Sequence, residues 1–500
     1  MTNFQKYLKQ FDEFGVVEEV HFPLTFVEGL PSVHVGEVVW FDNDEPGYVQ
    51  SLHLGKAQVA LLSNHRVRPG MRVARSGTPL SIPVGAAHRG QAVTTLGQPL
   101  IPGASFGGTL EDRPIDIAPP HVSSRAHVSR PFVTGSTAVD LFVPLGSGQR
   151  EAIFGDQKTG KTSFLLATAR AHAESGGVVV YAIIGRPWSD VKRVYDFIQE
   201  DATSQQNIIL VASSANDVPT LITLTPFSAM TIAEYWRDKG TDVLLILHDL
   251  STHAKFYREV ALIGGRFPGR ESYPGDIFHL HARLLERAGS FNVPGHDNVT
   301  ITCLPIVETV RSDVTNYIVS NIISITDGHI LFDPSRYSQG QRPAVSPSDS
   351  VTRVGLKVMT KLAKELHRKL MAFLAHYDQA QKYSHFGAEL SEEMQQTQMI
   401  GARLTQVMAQ AIYLNVPFNV QLVISTMVWQ GWANDEPEEA AAQWRDRLHN
   451  HYSHDAATAK IIDELVTSSD VSTFIERLEK RKQYLVELCH SETISKKRSN

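Results

Sequence analysis

The chain has 500 residues, 42% of them hydrophobic and 20% charged, with a formal net charge of -6. That length can bury several cores and suits two to four domains, while the acidic balance gives no electrostatic reason to expect a nucleic-acid partner. The longest apolar runs, such as 178–184 and 243–247, fall far short of the roughly 20 residues that cross a bilayer, and the two cysteines, Cys303 and Cys489, make no disulfide framework and lack metal-ligand spacing.

In chain order, the N-terminus MTNFQKYLKQFDEF has neither a long apolar core nor a small-residue cleavage site. It does not read as a secretory signal, and the chain is expected to remain inside the cell. From Leu30 to about Leu80, segments such as SVHVGEVVWF and YVQSLHLGKAQVALL carry β-branched residues in partial alternation, broken by Gly, Pro and Asn-Asp. This predicts a small β-barrel domain over 1–80. The stretch RPIDIAPPHVSSRAHVSRPF reads as an extended linker. From Gly135 to about Gly355, strand-like runs (EAIF, GVVVYAII, NIILVA, DVLLIL, NVTITCL, NIISI) alternate with helical patterns. That alternation predicts a parallel sheet covered by helices, in a nucleotide-binding domain over 81–358.

The strongest local signal is GDQKTGKT, which fits the phosphate-loop pattern G-x-x-x-x-G-K-[ST] in full. Gly155 and Gly160 let the backbone of Asp156, Gln157, Lys158 and Thr159 wrap an anion with its N–H groups, aided by the N-terminus of the next helix. Lys161 brings a point charge to the β and γ phosphates, and the Thr162 hydroxyl is the candidate Mg²⁺ ligand. The motif follows the strand EAIF and opens the helix TSFLLATARAHA, the setting that this chemistry requires. Further on, TDVLLILHDLS ends an apolar strand at His248 and Asp249. Asp249 suits two roles: an acid that holds Mg²⁺ through its water shell, or an N-cap for the following helix.

Beyond Gly355 strand signals nearly vanish, and Leu362, Leu366, Leu370, Phe373 and Tyr377 recur at helical spacing. This predicts a helical domain over 359–500. NDEPEE reads as an exposed break before a last helical segment from Trp444 to Leu488, and the basic end from Lys496 to Arg498 as a solvated tail.

Several segments together resemble the alpha subunit of F-type rotary ATP synthases, over nearly the full length to about Gln421. They are VTGSTAVDLFVPLGSGQREAIFGDQKTGKTS, FPGRESYPGDIFHLHARLLERAG, ISITDGHI, GQRPAVSPSDSVTRVG, HFGAEL and GARLTQVMAQ. The resemblance implies a multidomain α/β chain: an N-terminal β-barrel crown, a RecA-like domain with a parallel sheet, and a C-terminal helical bundle. It implies ATP or ADP with Mg²⁺ as cofactor and alternation with three catalytic beta subunits in a ring. It further implies a central rotor stalk, a peripheral stalk, and indirect attachment to the cytoplasmic face of a membrane whose ion transport the complex drives.

By the same resemblance, Arg353 of SVTRVG matches the arginine that alpha projects into the neighbouring beta site, with Ser350 serving that communication. A planar, permanently charged fork suits a transferring phosphoryl group. Arg342 and Pro343 of QRPAV and Gln410 of MAQAIY match residues around adenine. The chain departs from the pattern at three positions. Arg186 stands where a catalytic relative carries a water-orienting glutamate and an ordinary alpha chain a glutamine. His248 replaces the first acid of an Asp-Asp pair, and imidazole is a poor partner for Mg²⁺. Ile412 replaces a second glutamine near adenine.

Two other classes use the same residues. A catalytic hexameric ATPase would share the phosphate loop, but Arg186 cannot accept a proton from water. An assembly scaffold without useful nucleotide binding would tolerate both His248 and Ile412. Turnover by the isolated chain separates the first class, and calorimetric titration with ATP separates the second.

Overall fold

A computed structural model describes residues 1–64, 66–385 and 391–491. HFGAEL beyond His385, and the basic end from Lys496 to Arg498, lie outside the described residues. The chain divides into two compact units, one of Met1–His127, Ala173–Glu308 and Val314–Thr326, the other of Val128–His172, Thr309–Asp313 and Asp327–Asn500.

The first unit opens with a helix, Asn3–Phe11, whose start is fixed by a reciprocal capping box between Thr2 and Gln5. Six antiparallel strands follow: β1 (Phe14–His21), β2 (Leu24–Glu28), β3 (Glu37–Phe41), β4 (Pro46–His53), β5 (Lys56–Leu61) and β6 (Arg72–Pro79). They close in the order β1-β2-β5-β4-β3-β6, with β6 pairing back to β1. The barrel interior is filled by Val17, Val27, Val39, Phe41, Val49, Val59 and Val73. Alternation sends every second side chain of each strand there, so β-branched residues serve it well. Gly47 is needed where the strands approach: a Cβ would come within 2.7 Å of Val59 Cγ1 and 3.1 Å of the Ala60 carbonyl.

The same unit carries a parallel sheet in the order Ala92–Thr94, Ile208–Ser214, Val178–Arg186, Val243–His248, His296–Glu308. Gly289–Val293 adds to the last of these strands in antiparallel sense. The central strands are buried along almost their whole length, which explains their continuous apolar runs in place of alternation. Helix Pro219–Asp238, which begins with proline in its first turn, packs on this sheet. Its Glu234 forms a buried two-pronged pair with Arg287 of LLERAG, at 2.6 and 3.0 Å. Two further guanidinium N–H groups of Arg287 reach the Ile115 carbonyl and Thr231, so four of the five donors of this buried charge are bonded.

In the second unit, Glu151–Gly155 runs parallel to Gly328–Phe332, which pairs antiparallel with Val351–Thr352. Helices follow at Lys361–His385, Glu392–Met408, Phe418–Trp429, Ala440–His454, Ala456–Val466, Val471–Glu479 and Lys482–His490. Leu362, Leu366, Leu370 and Tyr377 are buried as their spacing predicts, but Leu374 takes the inner position and Phe373 is half-buried. The segment NDEPEE is indeed a break. Arg403 holds it by donating to the Ala433 carbonyl at 2.8 Å and the Asn434 carbonyl at 3.1 Å. Among the described residues no helix is long and apolar enough to cross a membrane.

Candidate functional site

In the second unit the strand Glu151–Gly155 ends in the phosphate loop, and helix Lys161–Glu174 begins directly after it. Gly155 adopts φ +150° and Gly160 φ +89°, and Lys158 is also left-handed at φ +62°. A Cβ on Gly155 would stand 2.7 Å from the Phe332 carbonyl oxygen, so the turn requires glycine by both conformation and space. The Thr159 hydroxyl donates to the Asp156 carbonyl at 2.8 Å. Asp156 Oδ1 accepts from the Thr309 hydroxyl at 2.6 Å and the Ser312 amide at 2.9 Å. Buried Lys161 donates to the carbonyls of Gly155 at 2.8 Å and Asp156 at 2.6 Å, which places its charge within the curve of the loop. Gln157 and Lys158 are exposed, and Thr162 is half-buried at the helix start. Backbone N–H groups at such a helix start attract anions by geometry and dipole together.

Beside Gly160 opens a cleft of about 280 Å³ whose walls include Phe164, Ala167, Tyr337, Arg342, Pro343, Gln410 and Ile412. The structure therefore brings Gly160, Arg342, Pro343 and Gln410 around one cavity. Arg342 lies 3.4 Å over the Tyr337 ring and donates to the Tyr337 carbonyl at 2.6 Å. The side-chain amide of Gln410 is committed to backbone: it accepts from the Thr137 amide at 2.6 Å and donates to the carbonyls of Gly135 and Leu414. With Ile412 apolar, the cleft offers a flat partner packing surfaces more than side-chain amides. Sequence reasoning missed Asp140, which fixes the wall formed by Thr134 and Gly135. Its buried carboxylate accepts from the Thr134 amide and hydroxyl at 2.7 Å each, from the Gly135 amide at 2.9 Å and from Gln421 at 2.9 Å. Tyr337, Phe164 and Arg170 of the cleft were also missed, since no local motif marks them.

Ser350 and Arg353 lie in the same unit. The Ser350 hydroxyl donates to the Ser346 carbonyl at 2.6 Å and accepts from the Leu331 amide at 3.0 Å, which ties this segment to the strand Gly328–Phe332. The Arg353 amide donates to the Asp327 carbonyl at 3.1 Å, and its side chain is exposed. The Arg353 charge also bears on Glu151, whose carboxyl is held well above the usual range chiefly by burial.

In the first unit, Asp249 follows the strand Val243–His248 and is completely buried. Its carboxylate caps the next helix, accepting from the Thr252 amide at 2.6 Å. Arg186, at the end of its own strand, donates to Asp249 Oδ2 at 3.3 Å and to Glu308 at 3.0 Å, with Asp190 3.4 Å from its Nε. Burial, reinforced by the Glu308 charge, pushes the Asp249 carboxyl up to about 6, against the Thr252 bonds and the Arg186 charge. His248 is buried, with Nδ1 3.0 Å from the Tyr181 hydroxyl. Magnesium takes hard oxygen ligands in near-ideal octahedral geometry. An imidazole engaged by a phenol beside a carboxylate engaged by a guanidinium does not fit that ion.

Comparison with known proteins gives a consistent result. Residues 135–352 match the nucleotide-binding domain of the ATP synthase alpha/beta family, and residues 357–482 match the C-terminal domain of the ATP synthase alpha/beta chain. The ATP synthase subunit alpha of Metamycoplasma arthritidis is 35% identical over 461 residues, covering 92% of this chain and 87% of that protein. The ATP synthase subunit alpha of Clostridium kluyveri is 32% identical over 498 residues, covering 97% of each.

Proposed function

This chain belongs to the ATP synthase alpha/beta family as an F-type alpha subunit, and from that premise we propose that it is the non-catalytic, nucleotide-binding partner of a catalytic beta subunit. The observation that carries the reading is Arg186. At the strand end where a hydrolytic relative needs a glutamate to orient water, this chain presents a permanent cation paired with Asp249 and Glu308. No proton can pass from water to that group.

The phosphates of ATP or ADP are received by the N–H groups of 155–162 and by Lys161, and the base packs in the cleft between Tyr337, Arg342, Pro343 and Ile412. The Thr162 hydroxyl is the ligand this chain would offer Mg²⁺. The bound nucleotide is structural or regulatory. The chemical contribution is made elsewhere: Arg353, exposed and held at its backbone by Asp327, reaches the transferring phosphoryl group of an adjacent beta subunit. Ser350 fixes the segment from which that arginine projects. In this reading three such chains alternate with three beta subunits around a rotor stalk, contact a peripheral stalk, and couple ATP synthesis or hydrolysis to ion transport at the cytoplasmic face of a membrane.

Phosphate release by the purified chain with ATP and Mg²⁺ tests the non-catalytic assignment. The expected rate is indistinguishable from that of the Lys161→Ala variant. Brisk turnover that Lys161→Ala abolishes overturns it.

A further inference from the structure

Every residue that lines the cleft beside Gly160 belongs to the second unit. Telling adenine from guanine there requires a fixed polar edge: adenine presents an acceptor at N1 beside a donating 6-amino group, guanine a donor at N1 beside an accepting O6. The side chains best placed to form such an edge are committed to the wall itself. Gln410 donates both hydrogens of its amide nitrogen, to the Gly135 carbonyl at 2.9 Å and the Leu414 carbonyl at 3.2 Å, and its oxygen accepts from the Thr137 amide at 2.6 Å. The Thr134 hydroxyl donates to Asp140 at 2.7 Å and accepts from the Ser136 amide at 3.2 Å. Half-buried Ile412 has no polar side-chain atom to add. The other polar groups of the cleft carry no fixed pattern. Hydroxyls, those of Ser136 and Ser163 among them, turn to donate or to accept, and the Asn415 amide holds a donor and an acceptor together. Both guanidiniums lie over tyrosine rings, Arg342 at 3.4 Å from Tyr337 and Arg170 at 5.1 Å from Tyr413, so a base meets them as packing surface.

From this arrangement we infer that the cleft holds a purine ring by packing and leaves its polar edge unread at position 412, so that the chain binds guanine nucleotides as tightly as adenine nucleotides. The inference rests on the nucleotide-binding reading above and deepens it by naming the ligand class as purine nucleotides. ATP and GTP carry the same triphosphate, so the contribution of the phosphate loop cancels between them. A pocket that only packs rejects a near-isostere weakly, whereas one that hydrogen-bonds its ligand rejects the mismatched analogue by about 10⁴ to 10⁵.

Isothermal titration of the purified full chain with ATP, with GTP and with inorganic tripolyphosphate, at one Mg²⁺ concentration, provides the test. The ATP and GTP dissociation constants should agree within about threefold, and tripolyphosphate should bind at least about tenfold more weakly than either. Ile412→Glu sets an acceptor-only group in the cleft, which suits the adjacent N–H groups of guanine and not the N1 of adenine. Its GTP-to-ATP affinity ratio should rise by about tenfold or more, whatever the added charge does to both affinities together. Thermal unfolding checks that the variant is folded, and the wild-type comparison stands whether or not it is. A wild-type preference for ATP over GTP of about tenfold or more overturns the inference alone, and so does an unchanged ratio in folded Ile412→Glu. Tripolyphosphate binding as tightly as ATP also overturns it, since the base would then contribute nothing. No binding of any of the three overturns the nucleotide reading and the inference with it.

Discussion

Gln410 holds Gly135 from 275 residues away, donating its Nε2 to the Gly135 carbonyl at 2.9 Å. Its Oε1 accepts from the Thr137 amide at 2.6 Å, so one side chain fixes both ends of a turn that walls the cleft beside Gly160. Gln410→Ala leaves the buried Thr137 amide without its acceptor, which costs about 1–3 kcal/mol, while the Gly135 carbonyl keeps its bond from the Val416 amide at 3.1 Å. A lowered thermal midpoint should accompany weakened nucleotide binding, followed with a fluorescent ATP analogue. Unchanged binding would mean that the wall does not depend on this residue.

A methyl group at Gly155 meets the Phe332 carbonyl at 2.7 Å in a backbone conformation that L-residues rarely adopt. Gly155→Ala should therefore destabilise the fold by about 1–3 kcal/mol and impair anion binding. Gln157→Ala, an exposed change in the same loop that strains no backbone, should shift stability by less than Gly155→Ala does. Denaturant midpoints of the two variants measure the contrast, and equal midpoints would contradict it.

Arg353→Ala, assembled with a catalytic beta subunit, should lower hydrolysis by about 10³-fold or more while the complex elutes at its usual size. Elution at the usual size separates loss of the trans role from a folding defect. Full activity of the variant complex would remove the trans role.

Acid sensitivity has a specific source in the first unit. His253 Nδ1 lies 3.0 Å from His281 Nε2, and burial holds the His253 imidazole down to about 4 against an opposing bond to the Thr223 carbonyl. An unfolded histidine takes its proton near pH 6.5, about as the free side chain does. The unfolded state thus gains the proton first. The His253 contribution is complete above about pH 6.5 and is lost progressively as pH falls to about 4, with roughly 2 kcal/mol gone by pH 5. Chemical denaturation at pH 7 and pH 5 should show a smaller loss for His253→Gln, with His281, lowered by burial and by His253, retaining part of the slope. An identical loss in both proteins would assign the sensitivity elsewhere.

Local features were readable from the sequence. The phosphate loop lies within eight consecutive residues and needs no partner to be recognised, and most buried parallel strands announce themselves as unbroken apolar runs. NIISI, read as a strand, lies instead in the helix Tyr317–Ile325, since a short apolar run alone does not separate the two. Contacts distant along the chain were not readable. Asp140 carries no motif, and its meaning depends on Thr134, Gly135 and Gln421 meeting in space. Arg186 was legible as a departure from the resembling family, but its pairing with Glu308 was not. At the N-terminus, β1 escaped the alternation test because a register shift between Val17 and Glu19 interrupts its period of two. Phe373 was misplaced by one position because steps of three and of four residues from Leu370 both stay near one face of a 3.6-residue turn, and the interior takes the four-residue step to Leu374.

Closure of β6 onto β1 leaves the barrel no exposed strand edge, so a neighbouring protein has no ladder there to extend. Whatever touches this part of the molecule must recognise side chains and turns. Those can be exchanged one at a time without unpairing any backbone, so the first eighty residues are free to change partners over evolution while the barrel itself persists.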